Sequence, residues 1–142
     1  MSSASQKGFA AIELLIALPV LLLILVAVIE LSRMMLELNT LNKAVRIGAR
    51  YASTQTDASG CGPVIAITSD IQKMVVYGTV NGNKSQLRNW QVSDVAVSCV
   101  DNQYVTVTTS YQFKPSIAST LPFSDASLTV PMSSSSIMRI SQ

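Results

Sequence analysis

The chain has 142 residues, of which 49% are hydrophobic and 13% charged, and its formal net charge is +2. The charged share is about half that of an average soluble domain, and so small a net charge gives no argument for nucleic-acid binding. Histidine is absent, which excludes the histidine-based catalytic triads and removes the commonest general base and metal ligand. The length allows one domain besides a hydrophobic segment.

A hydrophobic segment begins close to the N-terminus. From Phe9 to Leu31 it is interrupted only by Glu13, Pro19 and Glu30. As a helix it would extend about 34 Å, which is enough to cross a bilayer core of about 30 Å. A secretory signal peptide is the competing interpretation, but the residues that follow are a poor cleavage site for that class. The segment therefore predicts a membrane span.

The start of this segment carries a specific motif. Gly8 is followed by Phe9 and, five positions after the glycine, by Glu13. A carboxylate at the edge of a span is costly and indicates a function. Gly-Phe-x-x-x-Glu before a hydrophobic helix resembles the cleavage site of type IV pilins and pseudopilins. The resemblance implies that prepilin peptidase removes the leader, residues 1–8, and leaves Phe9 as the N-terminal residue, which is usually methylated in that family.

The same resemblance implies a role for Glu13. Its carboxylate would neutralise the new α-amino group, which lies about 6 Å away along the helix axis, or the amino group of a neighbouring subunit, and would thereby set the axial step between subunits. The alternative is that Glu13 snorkels to the cytoplasmic headgroups. Pro19 removes one helical hydrogen bond and predicts a kink. It is either a kink alone or a weak point where the helix bends when subunits pack.

The helical pattern continues beyond the membrane. Apolar or small residues recur there at alternating spacings of three and four, as in heptads; they are Leu31, Met34, Leu38, Leu41, Val45, Gly48 and Ala52. We expect one helix from about residue 8 to 54, broken at Asp57–Gly60, with residues 9–31 in the membrane and residues 32–55 in the periplasm. Its upper half would cover the chain's own domain, and its membrane half would remain for partner subunits. Gly48 predicts the close approach of another element.

Two stretches of the sequence indicate which family among the type IV pilins and pseudopilins the chain resembles. Residues 41–52, LNKAVRIGARYA, resemble the Ala-x-Arg-x-Gly-Ala-Arg-Tyr-Ala signature of TadE-like proteins, which are minor pilins or pseudopilins of the tight-adherence (Flp) pilus systems. Residues 11–19 resemble that family's Ala-x-Glu-Phe-Ala-x-x-x-Pro start, with Leu14 where the family often has phenylalanine. The resemblance implies four kinds of partner: inner-membrane lipid, prepilin peptidase, other pilin and pseudopilin subunits, and pilus assembly platform proteins.

Residues 56–142 predict a small exported domain that begins with one further helix. Pro63 opens the helix, apolar residues follow at helical spacing, and Gly78 can end it with a left-handed cap. Three strands follow. We therefore expect an α+β fold with a long N-terminal helix, transmembrane and then amphipathic, and a C-terminal domain of one further helix and a three-stranded antiparallel sheet.

The strands differ in the strength of their signals. The strongest covers residues 105–113, where apolar side chains alternate strictly with polar ones. A weaker strand, residues 95–99, precedes it through a hairpin turn at Asp101-Asn102. The third, around residues 128–140, contains Pro131, which predicts an edge or bulged strand.

The two cysteines, Cys61 and Cys99, lie 38 positions apart. Two cysteines cannot form a zinc site alone, and we expect neither a metal nor a cofactor. In an oxidising compartment they can form a disulfide, which would contribute about 3–4 kcal/mol to a domain this small. Two buried free thiols are the alternative.

The positive residues that follow the span argue against a periplasmic position for the C-terminal domain. Arg33, Lys43, Arg46 and Arg50 follow the span, and a count of positive residues alone would place them in the cytoplasm. The resemblance to a leader cut at the cytoplasmic face favours the opposite: a single pass through the bacterial inner membrane, with the C-terminal domain in the periplasm and later on the pilus or cell surface. The basic patch could attract nucleic acid, but solvent or lipid headgroups are the favoured surroundings.

The sequence contains no catalytic constellation. Its carboxylates are scattered, and phosphate loops and nucleophile motifs are absent, so we expect no enzyme and no small-molecule substrate. The resemblance favours a structural minor pilin or pseudopilin that acts at the initiation, base or tip of a Tad/Flp-type pilus. Two alternatives stay open: a permanently membrane-anchored periplasmic binding or assembly factor, and a tip adhesin, neither of which would enter the filament.

Overall fold

A computed structural model of the chain describes residues 3–55, 60–116 and 127–140, with side chains from Phe9 onward. Its helices are α1 (Ser3–Gln55), α2 (Cys61–Ala66) and α3 (Thr68–Tyr77). A 3-10 turn, Val92–Asp94, leads into the strands β1 (Val95–Val100), β2 (Tyr104–Phe113) and β3 (Val130–Arg139). The expected α+β fold class is confirmed.

Helix α1 is the continuous rod that the heptad pattern predicts. Its 53 residues correspond to a length of about 80 Å. The helix begins before Gly8, because nothing in the preceding residues breaks a helix, and it continues through Pro19. The predicted break falls mostly on residues 56–59, which lie outside the described residues. Toward its C-terminal end α1 buries one face, made of Leu41, Ala44, Val45, Ala49 and Ala52.

Gly48 lies on this face, where α3 packs against α1. A Cβ atom at this position would stand 2.2 Å from Cγ2 of Val75 and 3.8 Å from Cγ2 of Ile71. Both side chains are completely buried. The close approach predicted from Gly48 is therefore confirmed, because α3 occupies the space that a side chain at position 48 would need.

The further helix expected from Pro63 to Gly78 is divided into α2 and α3 at Ile67. The backbone of Ile67 has φ −101° and ψ 14°, outside the helical region. Next to it, the Thr68 hydroxyl donates to the carbonyl of Val64 at 3.2 Å, a bond of the type that competes with the helical ladder. The predicted end is confirmed, since Gly78 has φ 77° and its N–H donates to the carbonyl of Met74 at 3.0 Å.

The sheet is antiparallel, with the strand order β1-β2-β3. The hairpin between β1 and β2 turns at Asp101 and Asn102, which both have φ 54°. Left-handed φ values at both central residues are those of the tight turn whose twist matches the strands. The predicted hairpin is therefore present.

One face of β2 forms the centre of the core. Val105, Val107, Thr109, Tyr111 and Phe113 are all buried, and the alternate residues face outward, as the alternation predicts. Helix α1 packs against both β2 and β3, and α3 packs beside them against α1 and β1.

β3 is an edge strand, as its proline predicts. Pro131 pairs in register with Gln112 of β2, and a proline can occupy an edge because one side of the strand needs no ladder donor.

A buried polar chain links the loop before β1 to the sheet. The indole N–H of Trp90 donates to Oγ1 of Thr109 at 3.0 Å, and the Thr109 hydroxyl donates to the carbonyl of Asp94 at 3.0 Å. Trp90 and Thr109 are almost completely buried, so each group needs its partner. The threonine therefore occupies a core position of β2 without leaving a polar group unsatisfied.

Candidate functional site

The largest exposed apolar surface among the described residues is the N-terminal part of α1. Every side chain from Phe9 to Leu25 is exposed, with 73% of Phe9 and 72% of Leu15 accessible. An 18-residue window of the helix has a mean hydropathy of 3.1, and none of it is buried within the chain. An apolar patch of this extent marks a membrane or protein contact. The helix is therefore long and apolar enough to cross a membrane.

Phe9 and Glu13 lie four residues apart in α1 and so share one face of the helix. The side chain of Glu13 is exposed and, among the described residues, forms no hydrogen bond or ion pair. Phe9 and Glu13 therefore lie together on the apolar surface, and Gly8 precedes Phe9 in the same helix. Pro19 lies further along the same surface, within continuous helix.

A polar cluster ties the end of this surface to the domain. The carboxylate of Glu30 accepts from the backbone N–H of Ser116 at 3.0 Å and from Nη1 of Arg33 at 3.4 Å. The same guanidinium donates to the hydroxyl of Ser116. Glu30 is therefore a tether between the helix and the residues after β2, which explains a carboxylate so near the apolar part of the helix.

The cluster continues one turn further along α1. Nη2 of Arg33 lies 3.9 Å from Oε1 of Glu37, and the phenol of Tyr111 donates to Oε2 of Glu37 at 2.9 Å. The phenol also lies 3.2 Å from the carbonyl of Arg88. Tyr111 of β2 therefore joins α1 to the loop before β1.

This environment makes Tyr111 hard to ionise. Burial of the phenol, followed by its hydrogen bond to the Glu37 carboxylate and the negative charge there, raises the pKa of Tyr111 to about 12. A neutral phenol can donate to the carboxylate, whereas a phenolate beside it would be repelled. The tyrosine is therefore a structural donor.

Cys61 and Cys99 form a disulfide, with a Cα–Cα distance of 5.6 Å. The bond joins the first residue of α2 to strand β1, and it is the first of the two alternatives left open by the sequence. Both ends lie within the C-terminal domain, so the disulfide constrains that domain and not α1.

The sequence did not single out the cluster of Glu30, Arg33, Glu37 and Tyr111. A signal for part of it exists: Glu30, Arg33 and Glu37 are spaced by three and four residues, so they share a helix face. The contribution of Tyr111 had no such signal, because 74 positions separate it from Glu37.

The family model of TadE-like proteins matches residues 8–50. This range covers most of α1, including Phe9, Glu13, Pro19 and the arginine pair Arg46 and Arg50. No curated protein and no solved structure matches the chain. The resemblance seen in the sequence is thus confirmed for the helix. Over residues 8–50, which are less than half of the chain, the sequence is similar to TadE-like proteins.

Proposed function

We propose that the chain is the precursor of a minor pilin or pseudopilin that takes part in Tad/Flp-type pilus assembly, at initiation, base or tip. The observation that carries the proposal is the exposed apolar surface of α1 from Phe9 to Leu25, within the TadE-like match of residues 8–50. Such a surface requires a non-aqueous partner. Lipid provides it before assembly, and the helices of other subunits provide it afterwards.

In this proposal, residues 1–8 are the leader, and prepilin peptidase cleaves between Gly8 and Phe9. Residues 9–31 form the transmembrane part of α1, residues 32–55 its periplasmic part, and residues 56–142 the exported domain. The cleaved protein keeps 134 of the 142 residues. Its new N-terminal Phe9, methylated in related pilins, would lie at the inner edge of the span.

Glu13 would then determine subunit register. The α-amino group of Phe9 is about 6 Å away along the helix axis, and a charge in hydrocarbon costs about 2.5–3.5 kcal/mol on insertion scales. Pairing with an ammonium recovers part of this cost in the assembled state, which favours one axial position over others. Pro19 would let the helix bend as subunits pack.

The disulfide supports a periplasmic position for the domain. A Cys61–Cys99 bond persists in oxidising compartments and is rare in the cytosol. The partners that follow are inner-membrane lipid, prepilin peptidase, other pilin subunits and the assembly platform. An enzymatic role, a small-molecule substrate and nucleic acid form no part of the proposal.

Mass spectrometry of the protein from cells with and without prepilin peptidase tests the processing. We expect a mature chain beginning at Phe9 only where the peptidase is present. Gly8→Val should block cleavage because the bulky side chain occupies the cleavage position. Gly62→Val is the matched control, since nothing lies within 4 Å of a Cβ at Gly62. An intact Met1 terminus in peptidase-containing cells would count against the proposal.

Incorporation into sheared pili, followed with an antibody to the domain, separates the proposed role from its alternatives. Glu13→Gln should be processed normally but lost from pili, whereas Ile12→Gln, a neighbouring exposed position that also gains an amide, should be retained. If Glu13→Gln leaves function intact and the protein stays in the membrane fraction, the permanently anchored assembly factor is favoured. Labelling confined to filament ends would favour a tip role.

A further inference from the structure

An apolar groove opens between α1 and the lower end of the domain. Leu23, Val26 and Ala27 of α1 form one wall. The other wall comes from the end of β2, the residues just before β3 and the start of β3, namely Phe113, Leu128 and Val130. The groove has a volume of about 530 Å³, and its lining is almost entirely apolar, with Glu30 as the one charged residue among the described residues that line it. Covering such a groove is favourable, because transfer of apolar surface out of water lowers the free energy.

The position of the groove along α1 indicates what surrounds it. From Phe9 to Leu22 the helix measures about 21 Å by its rise per residue, whereas a bilayer core is about 30 Å thick. The helix must therefore use several further residues to cross the core, which brings Leu23, Val26 and Ala27 into the hydrocarbon of the far leaflet. The domain wall that faces them lies at the same depth.

A small polar cleft adjoins the groove on its domain side. Arg33, Arg88 and Lys114 line it together with Glu37, and Pro115 is shared with the groove. Lys114 is exposed and lies next to Phe113, one residue from the groove wall. Arg33 is paired with Glu30 and Glu37, so Arg88 and Lys114 are the cations of the cleft that form no ion pair among the described residues. An apolar channel beside these two cations matches a phospholipid, which combines an acyl chain with a phosphate.

We propose that this groove binds one acyl chain of a phospholipid from the periplasmic leaflet, with the lipid phosphate beside Lys114. The inference rests on the proposed membrane span of residues 9–31. It implies that the domain does not stand clear of the bilayer. Its lower end is inserted among the lipid chains, and the polar tether at Glu30 and Ser116 lies at the level of the headgroups.

Photolabelling tests the proposal. The full chain is reconstituted in vesicles of phosphatidylglycerol and phosphatidylethanolamine that contain a phosphatidylglycerol with a diazirine midway along one acyl chain. After illumination, mass spectrometry locates the attached lipid. We expect label on the helix between Phe9 and Leu22, which any membrane span would receive, and also on the accessible part of the domain wall at Leu128–Val130.

Ala27→Phe fills the groove and should lower labelling of the domain wall several-fold, with labelling of residues 9–22 unchanged. Ala17→Phe is the matched control, because it makes the same change at an exposed position outside the groove, and it should have no effect. For the phosphate, Lys114→Glu should lower wall labelling, whereas Lys84→Glu, at an exposed lysine outside the cleft, should not.

The outcomes separate this proposal from the proposed function. If residues 9–22 are labelled and the wall is not, the span stands and the groove proposal is overturned. Wall labelling that Ala27→Phe does not reduce would also overturn it. If residues 9–22 carry no label, the membrane span itself is wrong.

Discussion

Because α3 contacts α1 at Gly48, we expect Gly48→Ala to lower the free energy of unfolding of the wild type. The same substitution should raise it in a variant in which the side chain of Val75 is shortened. Gly48→Ala would place a Cβ 2.2 Å from Cγ2 of Val75. Ordinary carbon–carbon contacts are about 3.5–4.0 Å, so the overlap exceeds about 1 Å. Valine is stiff at χ1 and Val75 is completely buried, so its methyl group cannot simply turn away.

The expected magnitude is the difference between two terms. Overpacking a core costs about 1–3 kcal/mol, and the size of this overlap places Gly48→Ala near the upper value. Replacing glycine by alanine within a helix stabilises by about 1 kcal/mol. The net loss in the free energy of unfolding should therefore be about 2 kcal/mol. In a Val75→Ala background the colliding methyl is gone, and the same change should stabilise by about 1 kcal/mol.

The assay is urea unfolding of the domain in detergent micelles, followed by the fluorescence of Trp90, the single tryptophan of the chain, which is buried. Four proteins complete a double-mutant cycle: wild type, the two single variants and the double variant. The coupling energy should be about 3 kcal/mol, the upper part of the range for residues in contact. Gly62→Ala is the control, because a Cβ there meets nothing within 4 Å.

Two results would refute the reasoning. If Gly48→Ala stabilises the wild type as it stabilises the Val75→Ala background, α1 and α3 are not in close contact at Gly48. If it destabilises both backgrounds equally, the loss comes from something other than the methyl group of Val75, and the geometry of the helix contact is wrong.

Three further predictions concern the domain. The difference in absorbance titration between wild type and Tyr111→Phe should show one phenol ionising near pH 12. Because the pKa of Tyr111 is raised in the folded state, the contribution of this phenol to stability is complete below about pH 10 and is lost as the pH rises toward 12. An ionisation near pH 10 would contradict the buried contact. Replacing Cys61 and Cys99 by serine should lower the free energy of unfolding by about 4 kcal/mol for a separation of 38 residues, seen as a lower urea midpoint; an unchanged midpoint would show that the crosslink adds nothing. Thr109→Val should cost about 1–3 kcal/mol because the indole N–H of Trp90 loses its acceptor, whereas Thr109→Ser should keep most of the stability; equal losses would assign the effect to packing.

The sequence predicted those parts of the fold that repeat a local pattern. The heptad spacing along α1, the strict alternation in β2 and the turn residues Asp101-Asn102 each determine backbone conformation over a few residues, and all three agree with the structure. Gly48 could be interpreted because a glycine within a helix stripe needs a reason, and close packing is the usual one.

The sequence could not predict contacts between distant residues. The hydrogen bond between Tyr111 and Glu37 and the bond between Trp90 and Thr109 depend on how the sheet lies on the helix, which no local pattern specifies. The division at Ile67 was missed for a different reason. The helical spacing of apolar residues continues across Ile67, so this spacing alone predicts one helix, whereas the structure has two.

The placement of the disulfide has a mechanical consequence. Both of its ends lie in the C-terminal part of the chain. The rod α1 is therefore joined to the sheet by packing, by hydrogen bonds such as that from Tyr111 to Glu37 and by the chain that follows Gln55, and no disulfide links the two. A pulling force on the assembled protein would therefore be carried by interlocked side chains such as Leu41 and Val45. Under load the disulfide would keep α2 attached to β1, whereas the rod and the sheet would have only non-covalent contacts to resist separation.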